Sequence, residues 1–296
     1  MREWPTFAAI AACYGVWFGA GIWLYALWPW LAIPMMALAV AFHSSLQHEA
    51  IHGHPTRVAW INEWLVGLPI GVFYPYRRYR AMHLQHHNNS RLTDPEKDPE
   101  SFYHDPAQWA RTGRLQRAIL SVNNTISGRI ILGPGIGRVR FALSDLRRIR
   151  AGERDVFFSW SLHAATLVLM LVLVTPRFHM PLWLYVLGPA YGGTALIGLR
   201  SFCEHRWHEN PHARTIIVER SWLSLLFLNN NLHVVHHARP RLPWFRLPAV
   251  YRAERKMWQG LHGGYVYRGY ASILWLYFWR SKEPLAHPGH DAAGPF

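Results

Sequence analysis

Apolar residues form long, uninterrupted runs in two parts of this chain. The first run extends from Phe7 to Phe42 and contains no charged residue, no Asn and no Gln. It is too long for a single helix across a bilayer, whose hydrocarbon core of about 30 Å takes about 20 residues. Pro29 lies near the middle of the run. The pattern therefore predicts a hairpin of two membrane helices, over about 6–27 and 31–52.

A second pair of apolar runs follows, over about 156–175 and 182–199. Pro176 and Pro181 lie between the two runs, and proline favours a break between helices. The last run contains several glycines, which let membrane helices pack closely. The sequence of 296 residues contains no Ser- and Gly-rich linker. It therefore predicts one domain, an all-α integral membrane protein with four transmembrane helices in two hairpins.

The charge of the chain indicates its orientation. A net charge of +14, from 31 Lys and Arg against 17 Asp and Glu, would suggest nucleic acid as the partner of a soluble protein. No nucleic-acid-binding motif accompanies it, so we expect no such partner. The arginines instead gather between and after the hairpins: Arg77, Arg78, Arg80, Arg138, Arg140, Arg147, Arg148 and Arg150. Because basic residues concentrate on the cytoplasmic side, we expect both hairpins to open there, and both termini to lie there, in a bacterial inner membrane.

Three histidine clusters follow or lie between the apolar runs. The first has the pattern H-E-x-x-H and the other two share the pattern H-x-x-H-H: His48 and His52; His83, His86 and His87; His233, His236 and His237. On a helix, positions i, i+3 and i+4 share one face. Neutral imidazole is the commonest side-chain metal ligand, and eight imidazoles exceed what one tetrahedral zinc can use. The clusters predict two metal ions of the iron type, in a cytoplasmic helical cap.

Smaller groups add candidates for this site. His205 and His208 emerge at the end of the last span, on the same predicted side as the clusters, and are further candidate ligands. A metal-bound imidazole usually donates its second N–H to a carboxylate. Polar residues that could take this supporting role, or be solvated turn and helix-cap residues instead, are Asp94, Asp98, Glu204, Glu209 and Asn229.

The order of the clusters resembles the histidine boxes of the membrane fatty acid desaturase and hydroxylase superfamily, in its small bacterial type. The resemblance runs from about His43 to Arg239 and is close at both H-x-x-H-H boxes. The stretch Arg200–Arg206 resembles the segment before the third box of bacterial members, where an extra His completes the ligand shell. The first box is one residue shorter than in many members, which leaves the subfamily open. The resemblance implies two iron ions held mainly by His, with O2 as co-substrate.

The resemblance also implies a reaction and its partners. We expect a fatty acyl (lipid) desaturase that takes its substrate from the membrane and forms a C=C bond. Electrons would come from a separate ferredoxin- or rubredoxin-like donor and its reductase. The same centre could instead serve a hydroxylase, a carotenoid ketolase or hydroxylase, or an oxidative decarboxylase. The catalytic residues are then the metal ligands themselves.

Two other classes of function are less consistent with the sequence. His48-Glu49-x-x-His52 matches the zinc metalloprotease signature, with Glu49 as general base, but a protease would leave both H-x-x-H-H clusters without a role. A metal transporter needs polar groups along its path inside the membrane. The first hairpin has no Asn, Gln, His or charged residue between Phe7 and Phe42, which disfavours transport.

Overall fold

The structure, a computed structural model, describes residues 3–289. This part of the chain is mostly helical, with one short parallel pair of strands, β1 (Ile217–Val218) and β2 (Val266–Tyr267). In chain order the helices are α1 (Trp4–Leu27), α2 (Pro29–Ile51), α3 (Ala59–Val66), α4 (Tyr76–His87), α5 (Pro106–Arg111), α6 (Arg114–Asn123), α7 (Ile126–Ile131), α8 (Gly133–Arg150), α9 (Arg154–Phe178), α10 (Leu182–Glu204), α11 (Leu223–Leu226), α12 (His233–Ala238), α13 (Leu247–Ala253), α14 (Arg255–Leu261) and α15 (Tyr270–Tyr277).

Four of these helices, α1, α2, α9 and α10, are long and apolar enough to cross a membrane. They lie where the apolar runs predicted them, which confirms the all-α membrane fold class. Helix α10 continues past the predicted end at residue 199, because Arg200 and Glu204 extend it with an i, i+4 ion pair of 2.9 Å. Hydropathy marks the apolar part of a helix, whereas the hydrogen-bonded helix extends into polar sequence.

The chain forms two compact units. The first consists of Met1–Ala81 and Pro134–Ile197, and the second of Met82–Gly133 and Gly198–Phe296. The expectation that the whole chain forms one domain stays a prediction.

The core of the first unit combines apolar packing with a satisfied chain of polar atoms. Trp17 and Tyr185 are almost fully buried. The indole Nε1 of Trp17 donates to the hydroxyl of Tyr185 over 3.0 Å, and that hydroxyl donates to the carbonyl of Ile70 over 2.7 Å. A Cβ atom added to Gly193 of α10 would lie 2.5 Å from the side chain of Val40 in α2. Glycine therefore permits the close helix approach that the sequence predicted.

A buried ion pair joins three helices of the first unit. The guanidinium of Arg78 in α4 binds both carboxylate oxygens of Asp145 in α8, at 2.8 and 2.9 Å. Trp160 of α9 donates its indole N–H to the same carboxylate over 2.8 Å. The side chains of Arg78 and Asp145 are 6% and 2% exposed. Because the bidentate geometry and the third donor satisfy the carboxylate, the charges are tolerated away from water.

Candidate metal centre

Seven imidazoles of the second unit form two adjoining groups. Helix α4 carries His83, His86 and His87, α12 carries His233, His236 and His237, and His205 follows α10. Nitrogen atoms of one group lie within 4.8 Å of one another: His86, His205, His233 and His237. The same limit holds among the nitrogens of His83, His87 and His236. Both H-x-x-H-H clusters and His205 therefore converge, although they are far apart in the sequence.

The Nε2 atoms of these rings point at one another. His233 Nε2 lies 3.0 Å from Nε2 of His205 and 3.1 Å from Nε2 of His237. His236 Nε2 lies 3.1 Å from Nε2 of His87. Nε2 of His86 is buried and has no hydrogen-bond partner among the described residues. Buried nitrogen atoms are rarely left without a partner, so a set of converging lone pairs has the composition of a metal site.

The outer ring nitrogens are held by oxygen acceptors. His86 Nδ1 lies 2.7 Å from Oδ1 of Asp98, and His83 Nδ1 lies 2.7 Å from Oε1 of Glu100. An ionised carboxylate only accepts, so each ring donates its Nδ1–H to it. In the neutral ring this tautomer leaves Nε2 with a lone pair facing the group, which is the usual arrangement around a metal-bound imidazole.

The turn that follows α4 positions the two carboxylates. Oδ2 of Asp98 accepts the backbone N–H of Thr93 over 2.8 Å, and Oδ1 also accepts the N–H of Glu100 over 3.0 Å. Asp94, in contrast, accepts the backbone N–H groups of Glu96 and Lys97. Asp94 therefore shapes the turn, while Asp98 and Glu100 contact the imidazoles.

A second polar contact supports His233. Its Nδ1 lies 3.1 Å from Oδ1 of Asn230, and the amide nitrogen of Asn230 donates to Oε1 of Glu204 over 2.5 Å. Glu204 is also paired with Arg200 and lies 3.9 Å from Nδ1 of His233. Asn230 thus connects the carboxylate at the end of α10 to the first imidazole of α12.

The electrostatics of the group favour a bound cation. Burial, strengthened by the neighbouring imidazoles, holds the pKa of His205, His233 and His237 well below its usual range, so these rings are neutral. Burial also lowers the pKa of His86, but the nearby carboxylates of Glu100 and Asp98 outweigh it and raise it to about 9. The neutral rings of His205, His233 and His237 can therefore offer lone pairs to a metal ion. His86 carries a second proton at neutral pH, on Nε2, which it would release when a metal ion binds.

The backbone of one residue, Ile216, sets the spacing between two of the imidazole-bearing segments. The N–H of Ile216 donates to the carbonyl of Glu204 over 3.0 Å, and the carbonyl of Ile216 accepts the N–H of His233 over 3.1 Å. On the other side of α12, Val234 and Val235 are buried in a cluster with Leu247 and Trp258. Helix α12 is therefore fixed by packing on one side and by backbone pairing on the other.

A partly buried lysine holds the end of α10. The ammonium of Lys282 donates to the carbonyl of Phe202 over 2.7 Å and also to the carbonyl of His205. Carbonyls in the last turn of a helix have no partner within it, and a cation there is favoured by the helix dipole. Lys282 therefore fixes the backbone that presents His205.

The structure sorts the candidates named from the sequence. His83, His86, His87, His205, His233, His236 and His237 lie in the two groups, and Asp98 and Glu204 contact or approach them. His208 lies outside both groups, where its Nδ1 accepts the N–H of Asn210. Glu209 is exposed. Asn229 donates to the carbonyl of Trp244 and has a positive φ of 58°, as expected for a residue that tolerates the left-handed region.

His48 and His52 belong to the first unit. His48 ends the buried face of α2 and is 2% exposed, and its ring centroid lies 5.0 Å from that of His52. Glu49 between them is also buried. The assignment of His48 and His52 as ligands stays a prediction.

Two contacting residues were not identified from the sequence, namely Glu100 and Asn230. Glu100 belongs to the acidic segment that was considered, two residues after Asp98. Asn230 follows Asn229, in a run of three Asn residues before the third cluster. In both cases the signal existed, but the sequence could not indicate which member of a polar run faces inward.

Known proteins resemble this chain over most of its length. The sequence model of a family described as fatty acid desaturase matches residues 22–269. An sn-1 oleoyl-lipid 12-desaturase of Anabaena variabilis is 23% identical over 267 residues, which cover 81% of this chain and 73% of that protein. An sn-1 oleoyl-lipid 12-desaturase of Arthrospira platensis is 21% identical over 288 residues, covering 90% and 78%.

Proposed function

The chain belongs to the fatty acid desaturase family, and from this premise we propose that it is an O2-dependent di-iron desaturase that forms a C=C bond in a membrane acyl lipid. Membership supports an oxidoreductase that works on lipid at a membrane. The observation that carries the finer proposal is the convergence of seven imidazoles into two adjoining groups in the second unit.

We assign one ion to His86, His205, His233 and His237, whose nitrogens lie within 4.8 Å of one another. The second ion is assigned to His83, His87 and His236, with His48 and His52 added on the basis of the sequence pattern. Imidazole ligands suit iron and bring no charge of their own. Asp98, Glu100 and Asn230 would hold the rings in the binding tautomer.

The reaction explains why a metal is needed. Removing two hydrogens from an unactivated alkyl chain is beyond any side-chain acid or base, and iron with O2 supplies that oxidising power. The overall balance takes two electrons and two protons from the alkyl chain, and two more of each from outside. Together these reduce O2 to two molecules of water. The proposal therefore includes a separate electron donor, ferredoxin- or rubredoxin-like, with its reductase.

The chain's own residues orient the imidazole rings and exclude water from the centre. His86, His205, His233 and His236 are each less than a tenth exposed, so water is largely excluded from the centre. Helices α4 and α12 and the residue after α10 carry the rings, and the oxygen acceptors fix the orientation of several of them. The arginine-rich segments support a cytoplasmic centre at a bacterial inner membrane.

The arrangement disfavours the protease reading of His48-Glu49-x-x-His52. A catalytic zinc takes three protein ligands and a water, which leaves the seven imidazoles of the second unit without a role. Hydroxylation, carotenoid oxidation and oxidative decarboxylation use the same oxygen chemistry. The test below distinguishes them from desaturation by the product that each would form.

The test is expression of the full chain in a bacterial host, followed by mass analysis of the membrane lipids. We expect a new double bond, and no such product from His237→Ala or His86→Ala, whose iron content should also fall. His212→Ala is the matched control, because His212 is exposed and lies outside both groups. A new hydroxyl or ketone in place of the double bond would contradict desaturation. Full activity of either cluster variant would contradict the ligand assignment.

A further inference from the structure

Helix α6 of the second unit turns its apolar face outward. Leu115, Ile119 and Val122 are spaced i, i+4 and i+7 and therefore share one face. Their residues are 76%, 42% and 51% exposed, whereas Leu120 and Asn123 on another side of the helix are buried. An amphipathic helix of a soluble domain packs its apolar face inward. This helix has the opposite arrangement.

Helix α15 and the two residues after it have a second apolar face of the same kind. Trp275, Phe278 and Trp279 are 88%, 38% and 79% exposed, while Tyr270 and Ile273 on the inner side are buried. An open groove runs along this face and is lined partly by the same three aromatic residues. Large aromatic side chains exposed together are uncommon on a soluble surface and mark a contact site.

Hydrogen bonds tie the two helices together. Ser127 is the second residue of α7. Its backbone N–H and its hydroxyl both donate to the carbonyl of Phe278, at 3.2 and 2.8 Å. The side-chain amide of Asn124, which directly follows α6, donates to the carbonyl of Glu283 over 2.6 Å. The end of α6 is thus fixed to the end of α15. We call Leu115, Ile119, Val122, Trp275, Phe278 and Trp279 the outward apolar set.

The charged residues within the two segments that carry the outward apolar set are all basic. The segment 106–131, which includes α6, contains four arginines and no acidic residue, and the segment 266–282, which includes α15, has two arginines and a lysine and no acidic residue. Arg111, Arg114 and Arg280 are exposed. Apolar and Trp side chains flanked by exposed bases are typical of structures that lie in the headgroup region of an anionic bilayer.

We propose that the outward apolar set inserts into the interface of an anionic lipid bilayer, so that the second unit has a membrane contact of its own besides the spanning helices. Trp275 and Trp279 lie at the headgroup level, where amphipathic rings are favoured. Arg114 and Arg280 pair with lipid phosphates. This contact is independent of the proposed reaction and needs no metal.

The experiment places a fluorescent probe on single introduced cysteines of the full chain. Val122→Cys and Trp279→Cys carry the probe within the outward apolar set, and Gln116→Cys carries it at an exposed site on another side of α6. Cys13 and Cys203 are buried, and labelling of the unsubstituted chain measures their background. Each protein is reconstituted into lipid nanodiscs of phosphatidylcholine and phosphatidylglycerol, with and without bromine on the acyl chains.

We expect brominated lipid to quench the probes at 122 and 279 and to leave the probe at 116 unchanged. Equal and weak quenching at all three positions would overturn the proposal. Protection of 122 and 279 from aqueous iodide without lipid quenching, together with cross-links between copies, would assign the face to a second copy of the chain and also overturn it.

A second measurement tests the charges. Arg114→Gln combined with Arg280→Gln should lower the lipid quenching at position 122 by about twofold, because each base near an anionic surface contributes to binding. Nanodiscs of phosphatidylcholine alone should lower it to a similar extent in the unsubstituted background. If neither the double substitution nor the removal of phosphatidylglycerol lowers the quenching at position 122, anionic lipid has no role in the contact. A single symmetrical peak in size-exclusion chromatography verifies that the variant is folded.

Discussion

Nδ1 of His86 and Oδ1 of Asp98 lie 2.7 Å apart, and both side chains are only 1% exposed. A contact of this kind fixes the ring and leaves its other nitrogen available to a metal. Asp98 is itself held by the N–H of Thr93. The orientation of His86 therefore depends on a short turn rather than on α4 alone.

Asp98→Asn should weaken metal binding by about 10- to 100-fold, as is typical when an outer partner of a ligand imidazole is changed. The amide removes the negative charge that favours a cation. Because both oxygens of Asp98 accept N–H groups, the NH2 of Asn would face either the ring of His86 or the N–H of Thr93, and one contact is lost. Metal content after purification, measured by mass spectrometry, checks the change.

The matched control is Asp94→Asn, in the same turn. One oxygen of Asp94 accepts the backbone N–H groups of Glu96 and Lys97, and an Asn oxygen can accept them equally well. Its metal content should stay at the unsubstituted level. Equal losses in both variants would mean that the turn, not the carboxylate, matters.

Asn230→Leu should lower metal content and activity. Leu has a similar volume, but it leaves Nδ1 of His233 without its acceptor and removes a donor from the buried carboxylate of Glu204. A buried polar group without its partner costs about 1–3 kcal/mol. Metal content and thermal unfolding, measured on the same preparation, test both effects.

The comparison variant for this position is Asn229→Gly. Glycine accepts the positive φ of residue 229, and the change removes only the hydrogen bond to the carbonyl of Trp244. We expect nearly normal metal content. A larger loss from Asn229→Gly than from Asn230→Leu would reverse our assignment of the two residues.

Lys282→Met should loosen the end of α10. The variant keeps much of the side-chain length but leaves the carbonyls of Phe202 and His205 without their ammonium donor. We expect faster hydrogen exchange over residues 200–206 and a lower metal content. Lys97→Met, at an exposed lysine, should change neither. If the hydrogen-exchange rate of residues 200–206 is unchanged in Lys282→Met, Lys282 has no role in holding His205.

Asp145→Asn should destabilise the first unit by about 3 kcal/mol or more, because removing one charge of a buried pair leaves the other uncompensated. The side chains of Arg78 and Asp145 are 6% and 2% exposed. Glu153→Gln, which removes the partner of Arg148 in an ion pair more than 40% exposed on each side, should have little effect. The Tm of the purified protein in detergent measures both.

The parts of the fold that follow from periodicity and hydropathy could be predicted. A run from Phe7 to Phe42 without charge leaves little choice but two membrane helices, and the structure places α1 and α2 there. The H-x-x-H-H spacing likewise fixes three rings on one helical face, as α4 and α12 have them. These are local patterns, in which the backbone geometry alone determines what lies together.

The parts that depend on long-range packing could not be predicted. Asp98 and Glu100 face the imidazoles while Asp94 does not, because a turn without helical period decides the direction of each side chain. The choice of Asn230 over Asn229 depends on a left-handed backbone at residue 229. The roles of Lys282 and Ile216 depend on contacts that span many residues of sequence, for which a single sequence has no signal.

The backbone of Ile216 bonds the end of α10 through its N–H and the start of α12 through its carbonyl. These two hydrogen bonds hold the backbones of Glu204 and His233 at a fixed separation, and the loop of residues 206–215 lies outside them. Insertions or deletions in that loop should leave the imidazoles of His205 and His233 undisturbed. Proline at position 216 would remove the N–H and with it the hydrogen bond to the carbonyl of Glu204. The length of this loop can therefore change without moving the two imidazole-bearing segments apart.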